Sequence, residues 1–197
     1  RHYLPSVLQE LRIKFPRLKL TLREGNQPTV AGWVERQEVD LAITLLDGRD
    51  SPGVNQQVLV SLPAVFLVPK KHPFKTSEEV LQAVAAGNDV PPLVTMSNIE
   101  VAPRALQELL KRRELEWPPS IEVTAAELVD AYVEAGFGIG LTVAVPGRDV
   151  AKGLRAIPVE GIPPVQLAAL WKGTPSTVME ELLRRLQAEA RKVRNPD

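Results

Sequence analysis

The sequence predicts an α/β protein of two lobes. Amphipathic helical stretches alternate with short apolar runs along the whole chain, the signature of strands paired with covering helices. Residues 39–46 are almost continuously apolar, interrupted by Asp40 and Thr44, which suits a strand buried on both faces. Two blocks of such units meet at junctions near Val68-Pro69 and Leu170-Trp171. Residues 1–68 with 171–197 are therefore expected to form lobe I, and 69–170 lobe II. Two chain crossings between two α/β lobes describe a hinged clamshell. In open α/β sheets ligands bind beyond the carboxyl ends of strands, so the cleft between the lobes is the expected binding site.

Each element has its own local cause. Leu4, Val7, Leu8, Leu11 and Phe15 share one helical face, and Pro16 ends the segment. Leu18, Leu20 and Leu22 alternate with Lys19, Thr21 and Arg23, which predicts a strand with one buried face. Gly25-Asn26-Gln27-Pro28 turns into a helix carrying Val30, Trp33 and Val34. After the polar loop 47–53, strands are expected at 57–60 and 64–68, closed by Pro69-Lys70-Lys71-His72-Pro73. Ser77-Glu78-Glu79 opens a helix ended by Gly87, and Leu93-Val94-Thr95-Met96 is a short strand. Pro103 is expected to start a helix bearing Leu106, Leu109 and Leu110. A strand over 120–123 follows, then Thr124-Ala125-Ala126-Glu127, which has capping-box spacing for a helix reaching Ala135. Strands at 154–159 and 165–171 precede a last amphipathic helix with Val178, Leu182, Leu183, Leu186 and Val193.

Composition narrows the function. Twenty-four basic and 24 acidic side chains cancel, whereas a module that binds nucleic acid by itself carries a basic surplus. The absence of cysteine excludes disulfides, thiolate chemistry and Cys-based zinc sites. No apolar run reaches the roughly 18 residues of a membrane span, and the start lacks a signal-peptide layout. A cytoplasmic location is expected. Enzyme chemistry finds little to work with: His2 lies near a terminus, His72 lies in a surface-turn composition, and no HExxH, GxSxG, Walker or GxGxxG pattern occurs. Gly136-Phe137-Gly138-Ile139-Gly140 runs from helix into strand, opposite to a phosphate-binding turn, and reads as a helix cap with a tight turn. No catalytic residue, metal or cofactor is expected.

Polar residues at strand ends are the better candidates for holding a small molecule. Thr95, Ser97 and Asn98 follow or end an apolar strand just before a helix, where hydroxyl, amide and backbone N–H groups can meet an anionic or zwitterionic ligand. The same residues also suit a turn before a helix. Thr124 is a plausible cap, worth about 1 kcal/mol, on a helix aimed at the site. Thr44 places a hydroxyl in an apolar strand, where it needs a partner. Trp33 and Trp117 read as packing residues.

The order of these motifs resembles the effector-binding domain of LysR-type transcriptional regulators, which has a periplasmic-binding-protein-like fold. The likeness rests on Tyr3-Leu4-Pro5 with Phe15-Pro16, on 18–25, and on Glu38-Val39-Asp40-Leu41-Ala42-Ile43. It continues through 66–73 with its His72-Pro73 turn, 133–141 with Ala135-Gly136-Phe137-Gly138-Ile139-Gly140-Leu141, and Leu170-Trp171-Lys172-Gly173. The resemblance implies a small-molecule effector in the interlobe cleft, met by Thr95, Ser97, Asn98, Thr124 and the strand end near Thr44. Thr95 and Thr124 are similar to threonines that hold a small anion in the cysteine-regulon branch. It further implies allosteric control of DNA binding, with DNA contacted only through an N-terminal winged helix-turn-helix that this chain lacks, together with the family's first strand. Head-to-tail dimers are expected through 4–15 and 18–23, and tetramers through linker helices. The rival reading is a transporter's solute-binding protein on the same scaffold.

Overall fold

The computed structural model describes residues 4–49, 51–87, 90–147 and 150–194, with backbone alone at 193 and 194. His2 and the side chain of Val193 lie outside the described residues. The chain divides into two compact units, residues 1–61 with 166–197 and residues 62–165. The expected lobe limits differ by a few residues, for a reason visible in the pairing. The strand 64–69, expected in lobe I, is hydrogen-bonded on both sides to strands of the second unit, while strand 165–172 is paired in the first.

The first unit is built on a three-stranded sheet of order β1-β8-β2, where β1 is Ala42–Leu45, β2 is Val54–Leu62 and β8 is Val165–Lys172. β1 and β8 are antiparallel, with Ala42 opposite Leu170 and Thr44 opposite Ala168. Side chains alternate across a strand, so each face gets its own cover. On one face, α1 (Leu4–Lys14) and α6 (Thr177–Arg194) bury Val7, Leu183, Leu186 and Ala190 against Leu59 and Ala169. On the other, Val34 of α2 (Gln27–Glu35) packs on Ala42, Ala168 and Leu170. Between α1 and α6, buried Glu181 takes hydrogen bonds from Arg184 (2.7 Å) and Arg185 (2.7 Å) and pairs with Lys14 Nζ (3.0 Å). These cations, Arg184 foremost, hold its carboxyl down at about 2.

Residues 18–22 do not form the expected strand. Leu20 and Leu22 are 39% and 66% exposed, and no sheet among the described residues includes them. Alternation marks a strand only where a neighbouring strand completes the ladder and a core covers one face. The half-buried Trp33 ring stacks under the Arg23 guanidinium, 4.0 Å from its centre.

The second unit has a five-stranded sheet of order β5-β4-β6-β3-β7. These strands are β3 (Ala64–Pro69), β4 (Leu93–Met96), β5 (Pro119–Val123), β6 (Ile139–Val143) and β7 (Leu154–Pro158). β4 runs parallel to β5 and β6, while β3 is antiparallel to β6 and β7. α3 (Ser77–Ala86) and α4 (Val101–Arg112) cover one face over Phe66, Leu93, Ile139 and Leu141. Trp117 sits in this core, edge-on to Phe66 at 5.7 Å, its Nε1–H donating to Pro91 O at 2.8 Å. α5 (Ala126–Glu134) covers the opposite face with Val129 and Val133. A Cβ on Gly140 would lie 2.7 Å from Val129 and 2.8 Å from Val133, so glycine there lets α5 close onto β6.

Two helix starts differ from expectation. α4 begins at Val101, with Pro103 inside its first turn, where the missing N–H has no helical acceptor to lose. α5 is capped at Ala125, with no side-chain cap bond, so Thr124 does not form the expected capping box. Its hydroxyl stands one residue too early to reach the free N–H groups of the first turn. A complete capping box does occur on α3, between Thr76 and Glu79.

Candidate functional site

Each unit carries a cavity lined in part by polar side chains. In the first unit the cavity measures about 280 Å³ and is lined by Gln27, Leu46, Asp47, Arg49, Ser51 and Gln56, among others. Asn26 starts α2 by accepting the Thr29 N–H at 3.0 Å, and that cap sets Gln27 as the first helical residue. Gln27 is 7% exposed and lines this cavity. Beyond the end of β1, Asp47 folds the loop by accepting the Arg49 N–H at 3.0 Å, and its other oxygen lies 3.5 Å from Arg49 Nε. The Arg49 side chain is largely exposed, so its guanidinium keeps donors free for an anion.

In the second unit the cavity is a slot of about 120 Å³ against α4, bordered by Thr95, Asn98, Gln107, Leu93, Leu106 and Leu141, among others. Thr95 shares the α4 side of β4 with Leu93. It is 1% exposed, and its Oγ1 has no hydrogen-bond partner. Gln107 donates from Nε2 to Trp117 O at 3.3 Å, and Asn98 is exposed at the rim.

The residues singled out from sequence thus have different placements. Thr95 and Asn98 line the same slot. Ser97 is half-buried, and its carbonyl accepts the Glu100 N–H at 3.0 Å, shaping the turn into α4. Thr124 is exposed. Because Met96 is paired with Val123, Ser97 and Thr124 are the first residues beyond the carboxyl ends of adjacent parallel strands. Thr44 is buried on β1 in the first unit and borders neither cavity. Sequence reasoning passed over Gln27, Asp47, Arg49 and Gln107. The usable signals were the Asn26 cap immediately before Gln27 and the polar Asp47-Gly48-Arg49 after an apolar strand.

His72 belongs to a different environment. Its carbonyl accepts from Arg155 Nη2 at 3.0 Å, and Phe74 N–H points at its Nδ1 at 3.4 Å. Burial, then the charge of Arg155, lowers its imidazole below the ordinary value. That is a turn held in place, with no carboxylate or nucleophile among the described residues bonded to the ring. Among the described residues no group of three or more His, Asp or Glu side chains converges for a metal, and no helix is long and apolar enough to cross a membrane.

Comparison with known proteins fits this picture. The family description "LysR substrate binding domain" matches residues 1–191. The chain belongs to that family. Among curated relatives, this LysR domain is 29% identical over 167 residues to the HTH-type transcriptional regulator CysB of Burkholderia cenocepacia, covering 81% of the chain and 50% of CysB. It is 27% identical over 155 residues to SsuR of the same organism, covering 76% and 48%. The chain spans about half the length of the curated relatives it matches. Among solved structures, the cofactor-binding domain of the Cbl regulator superposes with a TM-score of 0.77 at 21% identity, over 95% of this chain and 83% of that one. The Synechocystis PCC6803 CcmR regulatory domain in complex with 2-PG gives 0.76 at 18%, over 96% and 91%. The BenM effector-binding domain with benzoate gives 0.70 at 17%, over 95% and 85%. The likeness shows the fold, the two-lobe α/β architecture of LysR effector-binding domains, in agreement with the sequence expectation.

Proposed function

We propose that this LysR domain senses a small metabolite on behalf of a longer DNA-binding regulator, and that Thr95, Ser97, Asn98 and Thr124 contribute to holding it. The observation that carries the reading is the family match over residues 1–191. The orphaned Thr95 hydroxyl, on a residue that borders one cavity, and the buried polar Gln27, which lines the other, support it. Gln27 and Arg49 join the candidate set, with Arg49 suited to an anionic group; Thr44 serves as support beneath the β1 end. Solved relatives that carry 2-PG or benzoate favour a small organic acid as the class of effector. Binding shifts the domain between conformations, and a typical coupling of about 1–3 kcal/mol suffices to alter DNA affinity. DNA contact belongs to a helix-turn-helix segment outside these residues, and the domain acts in the cytoplasm without catalysis of its own. The solute-receptor alternative is not favoured, because both curated relatives are transcriptional regulators.

A thermal-shift screen of carboxylates, amino acids, sulfur metabolites and aromatic acids tests this. A ligand at 100 times its dissociation constant adds about 2.7 kcal/mol of stability, about 5–10 °C for a chain of this size. Thr95→Ala, Thr124→Ala and Arg49→Gln weaken that response. A panel without any saturable response, or variants that respond like the parent, refutes the site. Self-association through α1 and residues 18–23 is supported by the exposure of Ile13 (75%), Leu20 and Leu22. Sedimentation that finds monomers at every concentration refutes it.

A further inference from the structure

We propose that the slot against α4 receives a neutral, compact arm of the effector: about three to five carbons bearing one uncharged hydrogen-bonding group. This deepens the effector-sensing reading and rests on it. The floor is apolar and closed, since Leu93, Leu106 and Leu141 are all 1% exposed or less. An apolar protein cavity of about 150 Å³ stays dry and admits a benzene-sized guest, so 120 Å³ sets a slightly smaller limit. Among the described residues no charged side chain borders the slot. A charge buried there would lose its hydration without a counter-charge, so the acidic part of the effector stays outside. One polar atom points the other way. Thr95 borders the slot and its Oγ1 is buried without a partner; a hydroxyl both donates and accepts, so an arm with a group that reaches it gains a hydrogen bond. At the rim the Gln107 amide has spent one N–H on Trp117 O, leaving its carbonyl and the exposed Asn98 amide to receive the rest of the molecule.

Straight-chain primary amides from acetamide to octanamide, titrated into the whole 197-residue chain and followed by amide NMR, test the inference. The expected result is saturable shifts at Leu93, Thr95 and Leu141, tightest for an amide of about four carbons and weaker on either side. Thr95→Val keeps the volume and removes the hydroxyl. It weakens the best amide about fivefold, the scale of one neutral hydrogen bond, with unchanged far-UV circular dichroism. Leu141→Phe fills the slot and abolishes the shifts; should that variant misfold, Thr95→Val alone decides. Affinity rising steadily to octanamide, or equal affinity in Thr95→Val, overturns the proposal. If the amides fail while Arg49→Gln still alters the response to the acid panel, the slot inference falls and the sensing reading stands. If neither probe set binds, both fall.

Discussion

Replacing Gly138 by alanine puts a side chain where the second unit has no room for one. Gly138 joins the end of α5 to β6 with φ of +144°, a backbone conformation that L residues rarely adopt. A Cβ there would lie 2.0 Å from the carbonyl oxygen of Pro92. That same oxygen accepts the Ile139 N–H at 2.9 Å, so relief of the clash pulls apart a hydrogen bond next to the β4–β6 pairing. Forced φ costs about 1–3 kcal/mol, the hydrogen bond about 1 kcal/mol, and displacement of packed backbone about 1–3 kcal/mol. The expected loss is about 3–7 kcal/mol, a large part of the stability of an ordinary domain. Gly136 is the internal control. Its φ is +84°, but nothing lies within 4 Å of its Cβ position, so Gly136→Ala costs only the backbone term, about 1–2 kcal/mol. Urea unfolding followed by circular dichroism and by fluorescence of buried Trp117 measures both, read from the midpoint at constant slope. Equal losses in the two variants, or a Gly138→Ala loss under 1 kcal/mol, refute the steric argument.

Thr76→Ala breaks a complete capping box and is expected to cost about 1 kcal/mol, whereas Thr124→Ala, which removes no cap bond, stays within about 0.5 kcal/mol; chemical denaturation separates them. The Glu181 carboxyl is held at about 2, below its unfolded value near 4.5. Its contribution is therefore present above 4.5 and is lost as pH falls toward 2, and Glu181→Gln flattens the acid limb of a melting-temperature profile. A parallel profile in the variant contradicts this. The His72 imidazole is lowered by burial and by Arg155, so protonation is harder folded than unfolded and stability declines as pH drops below 6.5. An NMR titration midpoint at or above 6.5 excludes that assignment.

Much of the fold was legible because its local signals agree with its global arrangement. The strand Leu93–Met96 and the central run 64–68 are apolar enough to be buried whatever surrounds them, and Gly87 adopts the left-handed conformation that ends α3. Residues 18–22 failed because alternation describes a strand's two faces and says nothing of the neighbour that must pair with it. Thr124 failed by one residue, within the range over which a helix start cannot be fixed from spacing alone. Thr95 was readable as a lone polar residue in an apolar strand. Gln27 was not, because a polar residue behind a cap has the composition of an exposed first turn, and only packing reveals that it is enclosed.

The pairing of β3 also governs the order in which this chain can assemble. Five successive residues, Ala64 to Val68, are buried, and among the described residues their strand pairs with β6 and β7, with Val65 opposite both Thr142 and Pro158. During synthesis this apolar segment leaves the ribosome long before either neighbour exists. Non-local pairing of that kind folds slowly and leaves an adhesive ribbon uncovered in the interval. Chaperone occupancy and losses to inclusion bodies should therefore concentrate on nascent chains that end before Pro158.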